Sequence, residues 1–327
     1  MVAYLIRRVF YGLLTIFAVS VLSFLIIQLP PGDYVTSYIA SLEAQGDEVS
    51  AEEAAALREY FGLGQPAYVQ YGKWIWQILH GNFGMSFQYR VPVTEVIGER
   101  LLLTVLLALG TVVFIWVVAI PIGIYSAVRQ YSIPDYLATF LGFTGLAVPD
   151  FLLALVLMYF AWDLYDFSIG GLFSPEYVTA PWGVDRVIDL LKHMIIPVIV
   201  LGTSGTASLI RITRANLLDE LRKPYVVAAR AKGLSEWQLI LKYPVRLALN
   251  PIISLTAYIL PFLVSGSVIV SVVLSLPTVG PVLLRSLLSQ DMFLAGAIIL
   301  LIGVMTVIGT LLSDILLALI DPRVRLQ

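Results

Sequence analysis

Few side chains in this sequence could do chemistry, and their types narrow the options at once. There is no cysteine, which removes disulfides, thiolate metal sites and thiol nucleophiles. Two histidines, His80 and His193, leave little for an imidazole metal site or a catalytic triad. Both fall in outer segments and read as solvated residues. No G-x-x-x-x-G-K-[ST] phosphate loop occurs: Gly72-Lys73 is followed by Trp74 and lacks the upstream glycine. No catalytic residue, metal ligand or bound cofactor is expected on this chain, and nothing points to nucleic acid. If the protein works with ATP, hydrolysis belongs to a partner. Two features remain. One is Asp150, a carboxylate inside an apolar run. The other is the basic segment 213–246, with Ala228, Ala229, Arg230, Ala231, Lys232, Gly233, Leu234, Ser235 and Glu236 at its centre.

A charge at the centre of a membrane helix costs about 2.5–3.5 kcal/mol on insertion scales, so such residues face a cavity or a partner. Pro149 precedes Asp150 and loosens the local backbone bonds. The expected role of Asp150 is to line a translocation pathway. The competing reading shifts the helix, leaving Asp150 in a wet vestibule or paired with a partner's arginine. Asp314 lies near the inner end of its span and reads as a structural salt bridge or cap.

In the basic segment, 225–232 is a helix-forming run rich in alanine. Gly233 suits the left-handed position just past a helix end. Ser235 then serves as N-cap for a second helix starting at Glu236. An ordinary positively charged loop would explain the charge. It would not explain two helices with small residues beside a glycine, which let another protein's surface approach closely. A docking element for a cytoplasmic partner is expected.

These residues need a membrane to position them. Of 327 residues, 59% are hydrophobic and 13% charged, and the mean hydropathy is +0.90. A soluble domain is nearer about 45–50% apolar and 25% charged. Charge-poor runs cover 9–29, 101–128 (with Pro121 near its end), 137–162 (interrupted by Asp150), 194–210 (the shortest, with Pro197 in its first turn) and 292–313. The stretch 247–284 is too long for one span; Pro277 and Pro281 end a fifth helix near Leu274. The expected architecture is an all-α integral membrane protein with six transmembrane helices and one domain over 1–327.

With the N-terminus inside, inner segments hold 13 of the 20 lysines and arginines, including Arg7, Arg8, Arg129, Arg211, Arg214, Arg230, Lys232, Arg323 and Arg325. Both termini are therefore expected to be cytoplasmic. Arg7-Arg8-Val9-Phe10 resembles a twin-arginine signal, but the 21-residue run after it is too long for a signal core and reads as a retained helix. The outer loop 30–100 is acidic, and Ser50-Ala51-Glu52-Glu53 suits the start of a short helix reaching Tyr60. Trp74, Trp76, Tyr159, Trp162, Tyr165 and Trp182 read as an interfacial aromatic belt; sugar stacking is the minor alternative.

Ala228-Ala229-x-x-x-Gly233, followed by an apolar stretch and Pro251, resembles the EAA loop of ABC importer permeases. Its extended form, from Tyr225 to Pro251, is similar to the oligopeptide/dipeptide/nickel permease family. Tyr4-Leu5-x-Arg7-Arg8, Pro31-Gly32-Asp33, Gly81-Asn82-Phe83-Gly84-Met85-Ser86, Glu99-Arg100-Leu101 and Asp321-Pro322-Arg323 match that family in order along the chain. The short N-terminus and long first outer loop look like its B-type subunit. The resemblance implies a type I permease fold in a bacterial or archaeal inner membrane, importing peptides or oligosaccharides. It also implies four kinds of partner: a C-type permease, two ATPases carrying ATP and Mg, an extracytoplasmic binding protein, and the bilayer. Residues 228–236 would then be the coupling contact to an ATPase. The sequence departs from the family at Val227, a replacement common in this branch, and at Tyr243; a further departure, Ser271 with Pro277-Thr278-Val279-Gly280-Pro281, is similar to permeases of oligosaccharide as well as peptide systems and widens the range of cargo. An ion-gradient-driven secondary transporter would call for inverted repeats and several intramembrane ionisable groups. An intramembrane enzyme would need clustered reactive residues, whereas Asp150 and Asp314 sit at different expected depths.

Overall fold

The computed structural model describes residues 2–28, 65–86, 88–165, 170–254 and 267–320, with isolated positions between 39 and 59. The regular secondary structure among the described residues is helical, apart from one isolated bridge between Met85 and Pro92. The chain divides into two compact units. One holds residues 6–102 and 278–307, and the other holds 1–5, 103–277 and 308–327.

In the first unit, helix α1 (Val2–Gln28) lies against helix α12 (Met292–Ile320). Gly12 faces Val307, Val19 faces Gly303, and Ile27 faces Gly296, so the two helices run antiparallel. A Cβ added at Gly303 would come within 2.6 Å of Val19. Without a water-driven hydrophobic force between helices, such close backbone approach is how helices gain packing contacts in lipid. Helix α2 (Ala67–Leu79) crosses α1 and buries Trp74 against Phe24, with ring centroids 5.9 Å apart. The hydroxyls of Tyr71 and Ser20 share a 2.7 Å hydrogen bond. Trp74 is therefore a packing residue. Trp76 is exposed and leans on His80, whose ring is also exposed.

The second unit is built around two long helices, α3 (Val93–Val128) and α6 (Val184–Leu221). Gly110 meets Met194, Phe114 meets Gly202, Ile115 meets Gly205, and Gly123 meets Thr213, so they run parallel. Helix α4 (Ile133–Ala147) runs antiparallel to α6, with Gly142 on Ala207 and Gly145 on Thr203. At its base the Arg214 guanidinium donates two 3.1 Å hydrogen bonds to Asp135. Helix α5 (Asp150–Tyr165) follows after Val148-Pro149, and its side chains join a core of Leu103, Leu107, Leu172, Leu190 and Met194.

Two expectations about the spans change. Among the described residues, four helices are long and apolar enough to cross a bilayer, and five if the bent pair α4–α5 is one span. The third run is not continuous: α4 and α5 meet at 103°. Pro149 lacks the N–H that would continue α4, and its carbonyl instead accepts the first bonds of α5 from Leu152 and Leu153. The fourth helix, expected to be the shortest, is the longest among the described residues at 38, and Pro197 sits well inside it. At about 57 Å it far exceeds a hydrocarbon core of about 30 Å. The fifth expected helix enters at Pro244–Ala248 and 250–254 and leaves at Val268–Val273, but 255–266 lie outside the described residues. So do Pro31-Gly32-Asp33, most of the short helix expected over 50–60, and Asp321-Pro322-Arg323.

The extra length of α6 explains another correction. His193 is not solvated but 3% exposed. Its Nδ1 lies 2.9 Å from the Asp189 carbonyl oxygen. The Asp189 carboxylate accepts from the Ser174 backbone N–H and hydroxyl, both at 2.8 Å. Arg186 is held between the rings of Phe173 and Trp182, 4.6 and 4.5 Å from their centroids. The outer segment 170–183 thus folds over the first turns of α6 and buries their charges with partners.

Candidate functional site: the cytoplasmic helix pair

After α6 the chain makes three short helices: α7 (Pro224–Ala231), α8 (Glu236–Lys242) and α9 (Pro244–Ala248). Pro224 suits the first helical position, where no N–H is needed. The expected basic loop from 213 therefore begins only past Leu221, because α6 continues through its first nine residues.

α7 ends as its glycine requires. Gly233 has φ +79°, and its N–H donates to the Arg230 carbonyl at 3.0 Å. No atom lies within 4 Å of a Cβ built there, so the backbone angle, not space, selects glycine. Ser235 occupies the N-cap position in an extended conformation, but its hydroxyl makes no capping bond. The turn is braced differently. Arg230 and Glu236 form a two-pronged ion pair across it, at 2.5 and 3.1 Å. The bond from Arg230 holds the Glu236 carboxyl below the ordinary glutamate range, more than burial opposes it.

The pair is fixed to the spans from below. Val226, Leu239, Ile240, Val245 and Ala248 form one buried cluster with Leu217 of α6 and Ala127 of α3. The Tyr225 hydroxyl donates to Glu220 at 2.7 Å, and Lys223 reaches the other oxygen at 2.6 Å. Burial, and then the Glu220 bond, push the Tyr225 phenol above its usual range. The opposite face stays open: Val227, Trp237 and Leu241 are each more than half exposed. Tyr225, Ala228, Ala229, Lys232, Leu234 and Tyr243 line a hollow of about 290 Å³. The element is thus stiff, anchored on one face, and apolar with small residues on the other.

Asp150 is not part of this element. It is the first residue of α5, half-buried at the elbow with α4, with Ser204 of α6 in hydrogen-bonding reach. Ser204 is 17 residues from the end of α6, about 25 Å along the axis. A carboxylate in a first helical turn is also favoured by the exposed N–H groups there. Asp314 is buried next to Ser313, whose hydroxyl donates to the Ile253 carbonyl at 2.7 Å.

Two polar anchors escaped sequence reading. Asp135, paired with Arg214, was hidden because the partners are 79 positions apart. Asp291, fully buried, caps α12 through the Leu294 N–H and accepts from Ser86 at 2.5 Å and the Gln88 N–H at 3.2 Å. An aspartate directly before an apolar run was the available signal.

Comparison with known proteins agrees with this architecture along the whole chain. Residues 119–326 match the family described as the binding-protein-dependent transport system inner membrane component. Residues 1–108 match the N-terminal model of the same kind of membrane component. The chain is similar to the oligopeptide transport system permease protein AppB of Bacillus subtilis, 35% identical over 326 residues and covering 99% of both chains. It is 33% identical to a putative peptide permease protein of Brucella ovis, over 327 residues and 99% of each. To the dipeptide transport system permease protein DppB of Escherichia coli it is 31% identical over 342 residues, again covering 99% of each. The chain therefore belongs to the family of binding-protein-dependent transport system inner membrane components, the transmembrane permeases of ABC importers.

Proposed function

We propose that this permease is one half of a channel for peptides, opened and closed by ATPase subunits that dock on α7 and α8. The observation that carries the reading is the braced turn at Gly233, an element anchored to α3 and α6 below and open above. A partner that displaces such an element moves the helices it is fixed to, because packed cores shift between discrete arrangements and do not bend smoothly. Residues 228–236 make the contact, with Ala228 and Ala229 admitting the partner's surface. ATP and Mg belong to the ATPases. A second permease completes the channel, and an extracytoplasmic binding protein delivers cargo. The named functions of AppB and DppB favour peptides over oligosaccharides.

The test is Gly233→Asp in the assembled transporter. Aspartate tolerates positive φ better than most residues, so the turn persists while a charge enters the docking face. Insertion and assembly are expected to be intact, with ATP hydrolysis no longer driving uptake. Normal uptake by this variant overturns the docking role. Asp150, at the α4–α5 elbow and facing Ser204, is assigned to the translocation pathway. Asp150→Asn is expected to change peptide uptake while leaving assembly unaffected, and unchanged uptake removes it from the pathway.

A further inference from the structure

The groove between α4 and α6 has a polarity that neither the docking element nor the pathway uses. It is an open hollow of about 210 Å³ lined by Gly142, Phe143, Leu146 and Ala207 toward its outer end, and by Ala138, Arg211 and Arg214 toward its inner end. The two arginines differ. Arg214 is matched by Asp135 through a two-pronged pair. Arg211 is exposed and makes no hydrogen bond or ion pair among the described residues. It is also the first charge after the uncharged run 194–210 of α6, which places it where hydrocarbon gives way to headgroups on the cytoplasmic side. Thr139, one helical turn before Gly142 on α4, lines the groove beside the arginines.

We propose that this groove binds an anionic phospholipid of the inner leaflet, with the phosphate on Arg211 and an acyl chain along Gly142, Phe143 and Leu146. Charge complementarity decides the occupant. The net positive charge sits only at the cytoplasmic mouth, beside apolar walls, and an amphiphile with an anionic head fits that order. A Cβ at Gly142 would make only an ordinary contact with Ala207, at 3.8 Å, so a larger side chain can be placed there to fill the groove.

The experiment is native mass spectrometry of the assembled transporter in detergent, with phosphatidylglycerol, phosphatidylcholine or soluble glycerophosphoglycerol added in turn. Phosphatidylglycerol is expected to be retained above phosphatidylcholine, with little retention of the tail-less compound. Arg211→Gln is expected to lower phosphatidylglycerol retention about fivefold, the worth of one basic residue near an anionic lipid surface. Gly142→Leu, which fills the groove and leaves Arg211 in place, is expected to lower it too. Equal retention of the two lipids, equal binding of glycerophosphoglycerol, or unchanged retention in Arg211→Gln overturns the proposal. So does efficient cross-linking of Arg211→Cys to the second permease, which would make the groove a protein interface.

Discussion

Gly84 shows how one residue can carry two separate constraints. Its φ is +88°, and a Cβ there would sit 2.8 Å from the Phe293 ring. The loop it belongs to is fixed at the next turn, where Ser86 donates to the buried Asp291 carboxylate, and Asp291 also starts α12. Gly84→Ala therefore meets both a left-handed backbone penalty of about 1–2 kcal/mol and a steric contact with a ring. Thermal unfolding of the purified protein is expected to separate them. Gly84→Ala should lower the melting temperature. Adding Phe293→Leu should recover the steric part and leave the backbone part. A Gly84→Ala protein as stable as the parent contradicts both constraints.

At the scale of the element, the α7–α8 turn depends on Arg230 and Glu236. The Glu236 carboxyl lies below its ordinary range in the folded protein. A depressed acid contributes its bond fully above the unfolded-state value and loses it as pH falls through the folded value. The brace is thus intact at neutral pH and released only in acid. Glu236→Gln imitates the acid form at neutral pH, and it is expected to speed tryptic nicking at the exposed Lys232 in inside-out vesicles. Arg230→Gln should do the same, and the double variant should add little. Unchanged nicking in both single variants refutes the brace. This turn was legible in the sequence because its signals are local: glycine, serine and glutamate within four positions. The length of α6 was not. Its outer turns contain Arg186, Asp189 and His193, and a rule built on uncharged runs ends the helix where they begin. They stay helical because Phe173, Trp182 and Ser174 come from another segment, a pairing that only the fold creates. The elbow at Pro149 was half legible: the proline was visible, but a 103° turn depends on how α5 packs on α6.

At the scale of the whole molecule, the distribution of basic residues predicts on which side of the membrane each segment lies. α6 ends at Leu221 beside Arg222 and Lys223, so its C-terminal end is cytoplasmic by the positive-inside rule. α1 begins with Arg7 and Arg8 on the cytoplasmic side, and α12 runs antiparallel to it. α12 therefore enters from outside at Met292. Between Leu221 and Met292 the positive-inside rule then predicts an odd number of crossings, and the apolar sequence 247–274 has the length for one. With a crossing there and the bent α4–α5 pair counted as the third, the expected total is six spans, against four or five among the described residues. The absence of cysteine makes the order directly measurable. Single cysteines at Lys232 and at Leu288, which is 77% exposed, can be labelled with a membrane-impermeant maleimide in intact cells and in inside-out vesicles. Leu288→Cys is expected to react in cells and Lys232→Cys only in inverted vesicles. Labelling of both from the same side would mean an even number of crossings. The 247–274 stretch would then be re-entrant, and the six-span order would fall while the docking element kept its place.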